Sequence, residues 1–90
     1  MGIAAPDDFV AEVRAIVESH HNGMVLDRIL AYHFGQRYMV EIEAVMHRGT
    51  TLEVSHDVAM ELQHKVEALD NVERAYVHVD YEMRDYLEHK

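Results

Sequence analysis

Between Tyr38 and Asp80 the apolar residues change period twice. Tyr38, Val40, Ile42 and Ala44 alternate with Met39, Glu41, Glu43 and Val45, the period of two expected of a half-buried strand. Leu52, Ser55, Ala59, Leu62, Val66 and Leu69 then recur every three or four residues, as on one face of a helix. Ala75, Val77 and Val79 alternate with Tyr76, His78 and Asp80, and the period returns to two. A strand, a helix and a second strand in that order bring the last strand parallel to the first, through a right-handed crossover. Few architectures accommodate such a unit in 90 residues.

The preceding segment supplies one helix and one strand. Pro6-Asp7-Asp8 reads as a helix start, because proline suits the first turn and acidic residues suit the positive end of the helix dipole. Phe9, Val13, Ile16, Val17 and His20 follow at helical spacing, and Asn22-Gly23 is expected to end the helix, with glycine taking a left-handed cap. Val25 to Phe34 is rich in strand-forming residues, and Gly35-Gln36 makes a turn. His47-Arg48-Gly49 is a loop. Thr50 is expected to cap the second helix with Glu53 reaching back, and Asp70-Asn71 to close it. The order α-β-β-α-β gives an α+β, two-layer unit in which two helices cover one face of a three-stranded sheet. The chain reads as one unit, 1–90, with a core at about 6–82 and a charged tail at 83–90 in which Met83, Tyr86 and Leu87 are possible anchors. The other sheet face carries Glu41, Glu43, Val45, Tyr76, His78 and Asp80. A small sheet with a half-apolar open face generally pairs with something.

Composition narrows the partners. Seventeen acidic residues against eight basic ones give a formal charge of -9, which disfavours nucleic acid and favours cations. There is no cysteine, hence no disulfide, thiolate metal site or cysteine nucleophile. No apolar run approaches the length of about 20 residues that a membrane span needs, so no direct membrane insertion is expected. Met1-Gly2 just before a helix start reads as the cut edge of a larger protein. A chain of this size buries only about 60–65% of its unfolded surface, so an oligomeric partner or a metal ion is a natural source of added stability.

The chemistry concentrates on the two later strands. If they are parallel, Glu43 lies beside His78 and Asp80 on the open face, and positions 78 and 80 stand about 7 Å apart along the strand. Carboxylate and imidazole together suit Mn²⁺, Zn²⁺ or Fe²⁺, and an excess of oxygen donors tilts toward the harder ions. His56, in the first turn of the second helix, is a further donor that a partner chain is able to supply. Water, Asp27 or a partner's residue would complete the coordination sphere. On spacing alone, His78 and Asp80 are more simply an exposed hydrogen-bonded pair, and His56 with Asp57 a decorated helix start. His20, His21, His33, His47, His64 and His89 read as ordinary surface residues. Catalysis finds no support: the only serines are Ser19 and Ser55, Ser55-His56-Asp57 are neighbours on one helix and point in different directions, and no glycine-rich phosphate loop exists. The chain is not expected to be an enzyme.

Three segments carry a family resemblance. They are Tyr32-His33-Phe34-Gly35 with Tyr38-Met39-Val40-Glu41-Ile42-Glu43, then Thr51-Leu52-Glu53-Val54-Ser55-His56-Asp57, then Val72-Glu73-Arg74-Ala75-Tyr76-Val77-His78-Val79-Asp80-Tyr81-Glu82. In this order and spacing, from about Pro6 to Glu82, they resemble the C-terminal cytosolic domain of cation diffusion facilitator metal transporters. The Phe-Gly turn and the last segment look most like the manganese-associated branch. The resemblance implies a ferredoxin-like, metallochaperone-like fold that forms a V-shaped homodimer. That dimer would lie on the cytosolic face of a vacuolar or Golgi-type membrane, joined to the transmembrane domain of its own transporter. It further implies that His56, His78 and Asp80 match family metal ligands at the dimer seam. Glu43 stands where zinc-type members carry a histidine, which puts a binuclear zinc cluster in doubt. The expected role is regulation and dimerisation in response to Mn²⁺ or Zn²⁺. The alternative is a homodimerisation module that works without metal.

Overall fold

In a computed structural model that describes residues 2–82, the elements are α1 (Asp7–Glu18), β1 (Met24–Phe34), β2 (Arg37–Met46), α2 (Leu52–Glu67) and β3 (Val72–Asp80). The order is the one the period changes imply. The tail at 83–90, with Met83, Tyr86 and Leu87, lies outside the described residues.

β2 is the central strand of three. It pairs antiparallel with β1 through a two-residue loop, and Gly35 there has a φ of 62°, the left-handed conformation that glycine-first hairpin loops require. It pairs parallel with β3 across the α2 connection, with Glu43 opposite His78 and Val45 opposite Asp80. Between Leu26 and Arg28 the β1–β2 register shifts, so that an extra β1 residue is accommodated opposite β2. Ahead of α1, Ala4 bridges Tyr32, and the Ala5 and His33 amides bond Ala31 and Ile3 carbonyls, which ties the N-terminal segment to the outer edge of β1.

The alternation in β2 decides which face is covered. Val40, Ile42, Ala44 and Met46 are buried and meet Phe9, Val13 and Val17 of α1 and Val58, Leu62 and Val66 of α2. Both helices therefore lie on the same side of the sheet. Fully burying an aliphatic side chain of this size contributes about 1.5–3 kcal/mol, so this one face carries most of the stabilisation. Tyr38 closes one end by packing its ring 4.3 Å from that of Phe9. Glu67 fastens the far end of α2 to β3: its Oε2 accepts from the Ala75 amide at 3.0 Å and meets Arg74 Nε at 3.3 Å.

Three local expectations are corrected. α1 stops at Glu18 with Ser19 as its cap, four residues before Asn22-Gly23, and Gly23 has no positive φ. The Ser19 hydroxyl donates back to the Ala15 carbonyl at 2.9 Å, and His20, already past the helix, donates from Nε2 to the Val58 carbonyl of α2 at 2.9 Å. The cap of α2 is Thr51, whose hydroxyl accepts from the Val54 amide at 3.2 Å, and not Thr50. The buried stripe of α2 runs through Val58, Leu62 and Val66, and Leu52, 84% exposed, lies off it.

Candidate metal centre

The uncovered sheet face follows from the same alternation. With Val40, Ile42 and Ala44 turned to the helices, Met39, Glu41 and Glu43 of β2 take the opposite side. There Glu43 meets His78 as its register partner on β3, and Asp80 stands two residues further along. These three, as the parallel pairing implied, line one small cavity of about 210 Å³. Asp27 joins them on its wall, because the register shift at Leu26–Arg28 changes the side to which this stretch of β1 turns.

The surroundings of each donor differ. Glu43 is half-buried, its side chain 22% exposed, and its Oε2 lies 3.1 Å from Arg28 Nε. Asp80 Oδ1 accepts from the Tyr81 amide at 2.6 Å and the Glu82 amide at 3.3 Å, which orients the carboxylate at the end of β3. Next to the cluster, the Tyr32 hydroxyl donates to Glu41 Oε2 at 3.1 Å. That bond, then burial, then the charge of Glu41, hold the phenol above its ordinary value of 10.0.

His56 stands apart from this cavity. It is exposed in the first turn of α2, and its Nδ1 lies 3.3 Å from Asp57 Oδ1. Its neighbour Ser55 does share a second cavity, of about 410 Å³, with Asp80, Tyr81, Arg48 and His47, so His56 belongs to the same end of the fold as Asp80. His21 and His47 each accept, through Nδ1, from the amide two residues on, whereas His20 departs from the surface reading, since it packs against α2 with its Nδ1 buried.

Three carboxylates and one imidazole around one cavity are a donor set that fits a divalent ion of intermediate to hard character. Among the described residues, however, no three histidine, aspartate or glutamate side chains come close enough to hold an ion within one chain. Side-chain movement, or donors from a second copy, would have to close the sphere. Asp27 and Arg28, which the bulge brings to the site, carry no periodicity signal; only the run Leu26-Asp27-Arg28-Ile29 hints at a break in the alternation of β1.

Comparison with known proteins agrees with this architecture. The family described as cation efflux protein, cytoplasmic domain, matches residues 5–82. Metal tolerance protein 10 of Arabidopsis thaliana is 38% identical over 91 residues, covering 100% of this chain and 21% of the relative. Metal tolerance protein 7 of Oryza sativa subsp. japonica is 37% identical over 91 residues, covering 100% of this chain and 23% of the relative. The chain thus spans less than a quarter of the length of these relatives. Among solved structures, the zinc form of the putative zinc transporter CzrB has a TM-score of 0.80 at 23% identity, covering 94% of this chain and 98% of that one. The metal-bound C-terminal domain of the CzcD transporter from Thermotoga maritima has a TM-score of 0.75 at 16% identity, covering 82% and 87%. At such identities the structural likeness speaks for the fold alone. The family match over nearly the whole chain and the relatives above a third identity go further: this chain belongs to the cytoplasmic domains of the cation efflux proteins, the cation diffusion facilitators.

Proposed function

We propose that this chain is the regulatory and dimerising part of a divalent-cation transporter, working without catalysis on the cytosolic face of a vacuolar or Golgi-type membrane and joined to that transporter's transmembrane domain. The observation that carries the reading is the shared cavity of Asp27, Glu43, His78 and Asp80 on the uncovered sheet face. Glu43, His78 and Asp80 would hold the ion, with Asp27 beside them, and His56 of a second copy would complete the set across a two-fold seam. A bound dication supplies positive charge that offsets the mutual repulsion of the carboxylates. Two copies whose acidic faces repel would then approach, and the population would shift toward a closed homodimer. The oxygen-rich donors accommodate Mn²⁺ as well as Zn²⁺, and the kinship with plant metal tolerance proteins supports a metal role.

Titration calorimetry with Mn²⁺ and with Zn²⁺ on wild type and His78→Ala tests this reading. Binding heat in wild type that falls at least about tenfold in affinity in His78→Ala is expected, given the 10–100-fold cost typical of disturbing a metal site. Equal heats in the two proteins would remove the site. The second reading, homodimerisation without metal, is favoured by exposed apolar side chains such as Val25 and Phe34, each 57% exposed, and Tyr76. It predicts a dimer that chelator leaves intact.

A further inference from the structure

Arg28 sets a cation against a cation site. The register shift in β1 brings two successive residues of opposite charge to the same stretch of β2. Asp27 lines the cavity shared with Glu43, His78 and Asp80. Arg28 lines the adjoining cavity of about 270 Å³, with Leu30, Glu41 and, again, Glu43 and His78. Glu43 and His78 are therefore the wall between the two, and Glu43 Oε2 already lies 3.1 Å from Arg28 Nε. A divalent ion that these donors take up, once side-chain movement or a second copy closes the sphere, meets a guanidinium that has claimed one of their carboxylates.

We infer that Arg28 is an internal competitor for the metal: its ion pair with Glu43 holds the site in a low-affinity state and sets the cation concentration at which the site fills. The inference rests on the metal-site reading given above. Its physical basis is twofold. The Arg28 charge repels an incoming dication, and Glu43 has to exchange its guanidinium partner for the ion before it coordinates. The Arg28 side chain is 55% exposed, so it can swing to water when displaced, and the exchange is reversible. Arg28 acts on the metal through Glu43 and is a positioning residue rather than a ligand. The opposite role is also physically sensible, since an arginine that merely held Glu43 in a coordinating pose would strengthen metal binding. The sign of the effect separates the two.

The experiment is Mn²⁺ titration calorimetry on wild type, Arg28→Gln, Arg28→Lys and His78→Ala, with circular dichroism and thermal unfolding to establish that each is folded. Arg28→Gln is expected to bind Mn²⁺ about three- to fivefold more tightly than wild type, the size that a half-exposed ion pair supports. Arg28→Lys keeps the charge and is expected to stay within about twofold of wild type, since the competition rests on the positive charge rather than on the guanidinium fork. His78→Ala reports on the site itself. If His78→Ala loses binding while Arg28→Gln binds equally or more weakly, the competition is refuted and the metal site stands. If His78→Ala binds as wild type does, or if no protein binds Mn²⁺, the metal site and the competition fall together.

Discussion

At the scale of single residues, Tyr32 offers the cleanest readout of the open face. Its hydroxyl donates to Glu41, and that bond, with burial and the glutamate charge, holds its pKa above 10.0. A proton bound more tightly in the folded than in the unfolded chain stabilises the fold while it is bound. The contribution of Tyr32 is therefore complete below pH 10.0 and is lost as the pH rises through the higher folded-state value. Titration of phenolate absorbance is expected to show a late-ionising component that Tyr32→Phe removes; a variant that retains it would place the shift elsewhere. Glu41 also lines the cavity beside Arg28, so the Tyr32 bond belongs to the same stretch of the open face. The residues of the open face were legible to different degrees. Glu43, His78 and Asp80 follow from alternation plus parallel pairing, both of which are periodic properties of the sequence. Asp27 was legible only as one of several donors able to complete the sphere, and Arg28 not at all, because a bulge is a local backbone choice with no recurring pattern to announce it.

At the scale of elements, the cap of α2 distinguishes the sequence reading from the structure. Thr50 and Thr51 both suit an N-cap, and spacing to Glu53 favoured Thr50. The structure selects Thr51, whose hydroxyl receives the Val54 amide. Thr51→Ala is expected to destabilise the chain by about 1 kcal/mol in urea unfolding, and Thr50→Ala by less than about 0.5 kcal/mol. A reversed order would restore the box at Thr50. The existence and order of all five elements were legible because each buries one face of the same sheet, so each must keep its period along its length. Their ends were not, because a helix end is decided by a few hydrogen bonds that several adjacent polar residues are able to make. Ser19 and His20 ended α1 before Asn22-Gly23 by bonding back to Ala15 and across to Val58. The exposure of Leu52 has the same origin: it stands directly after the cap, in the first turn, where the stripe has not yet reached the sheet.

At the scale of the whole molecule, the described residues form a slab of 40 × 32 × 18 Å. A thickness of 18 Å admits a sheet and one layer of helices, and no third layer among the described residues covers Glu41, Glu43, Tyr76 and His78. That face combines carboxylates with apolar side chains, two properties that pull association in opposite directions. Apolar area favours bringing two copies together, and a chain of net charge -9 resists it. Any salt weakens the repulsion by screening, but only an ion held at the seam neutralises it locally, so the two effects are separable. In sedimentation equilibrium, millimolar-range Mn²⁺ is expected to raise the dimer fraction well above that reached in monovalent salt of matched ionic strength. Chelator should return it to the starting value, and His78→Ala should respond to Mn²⁺ only as it does to the salt. A dimer fraction that depends on ionic strength alone would assign the association to the apolar side chains, and with it the metal-independent reading of the domain.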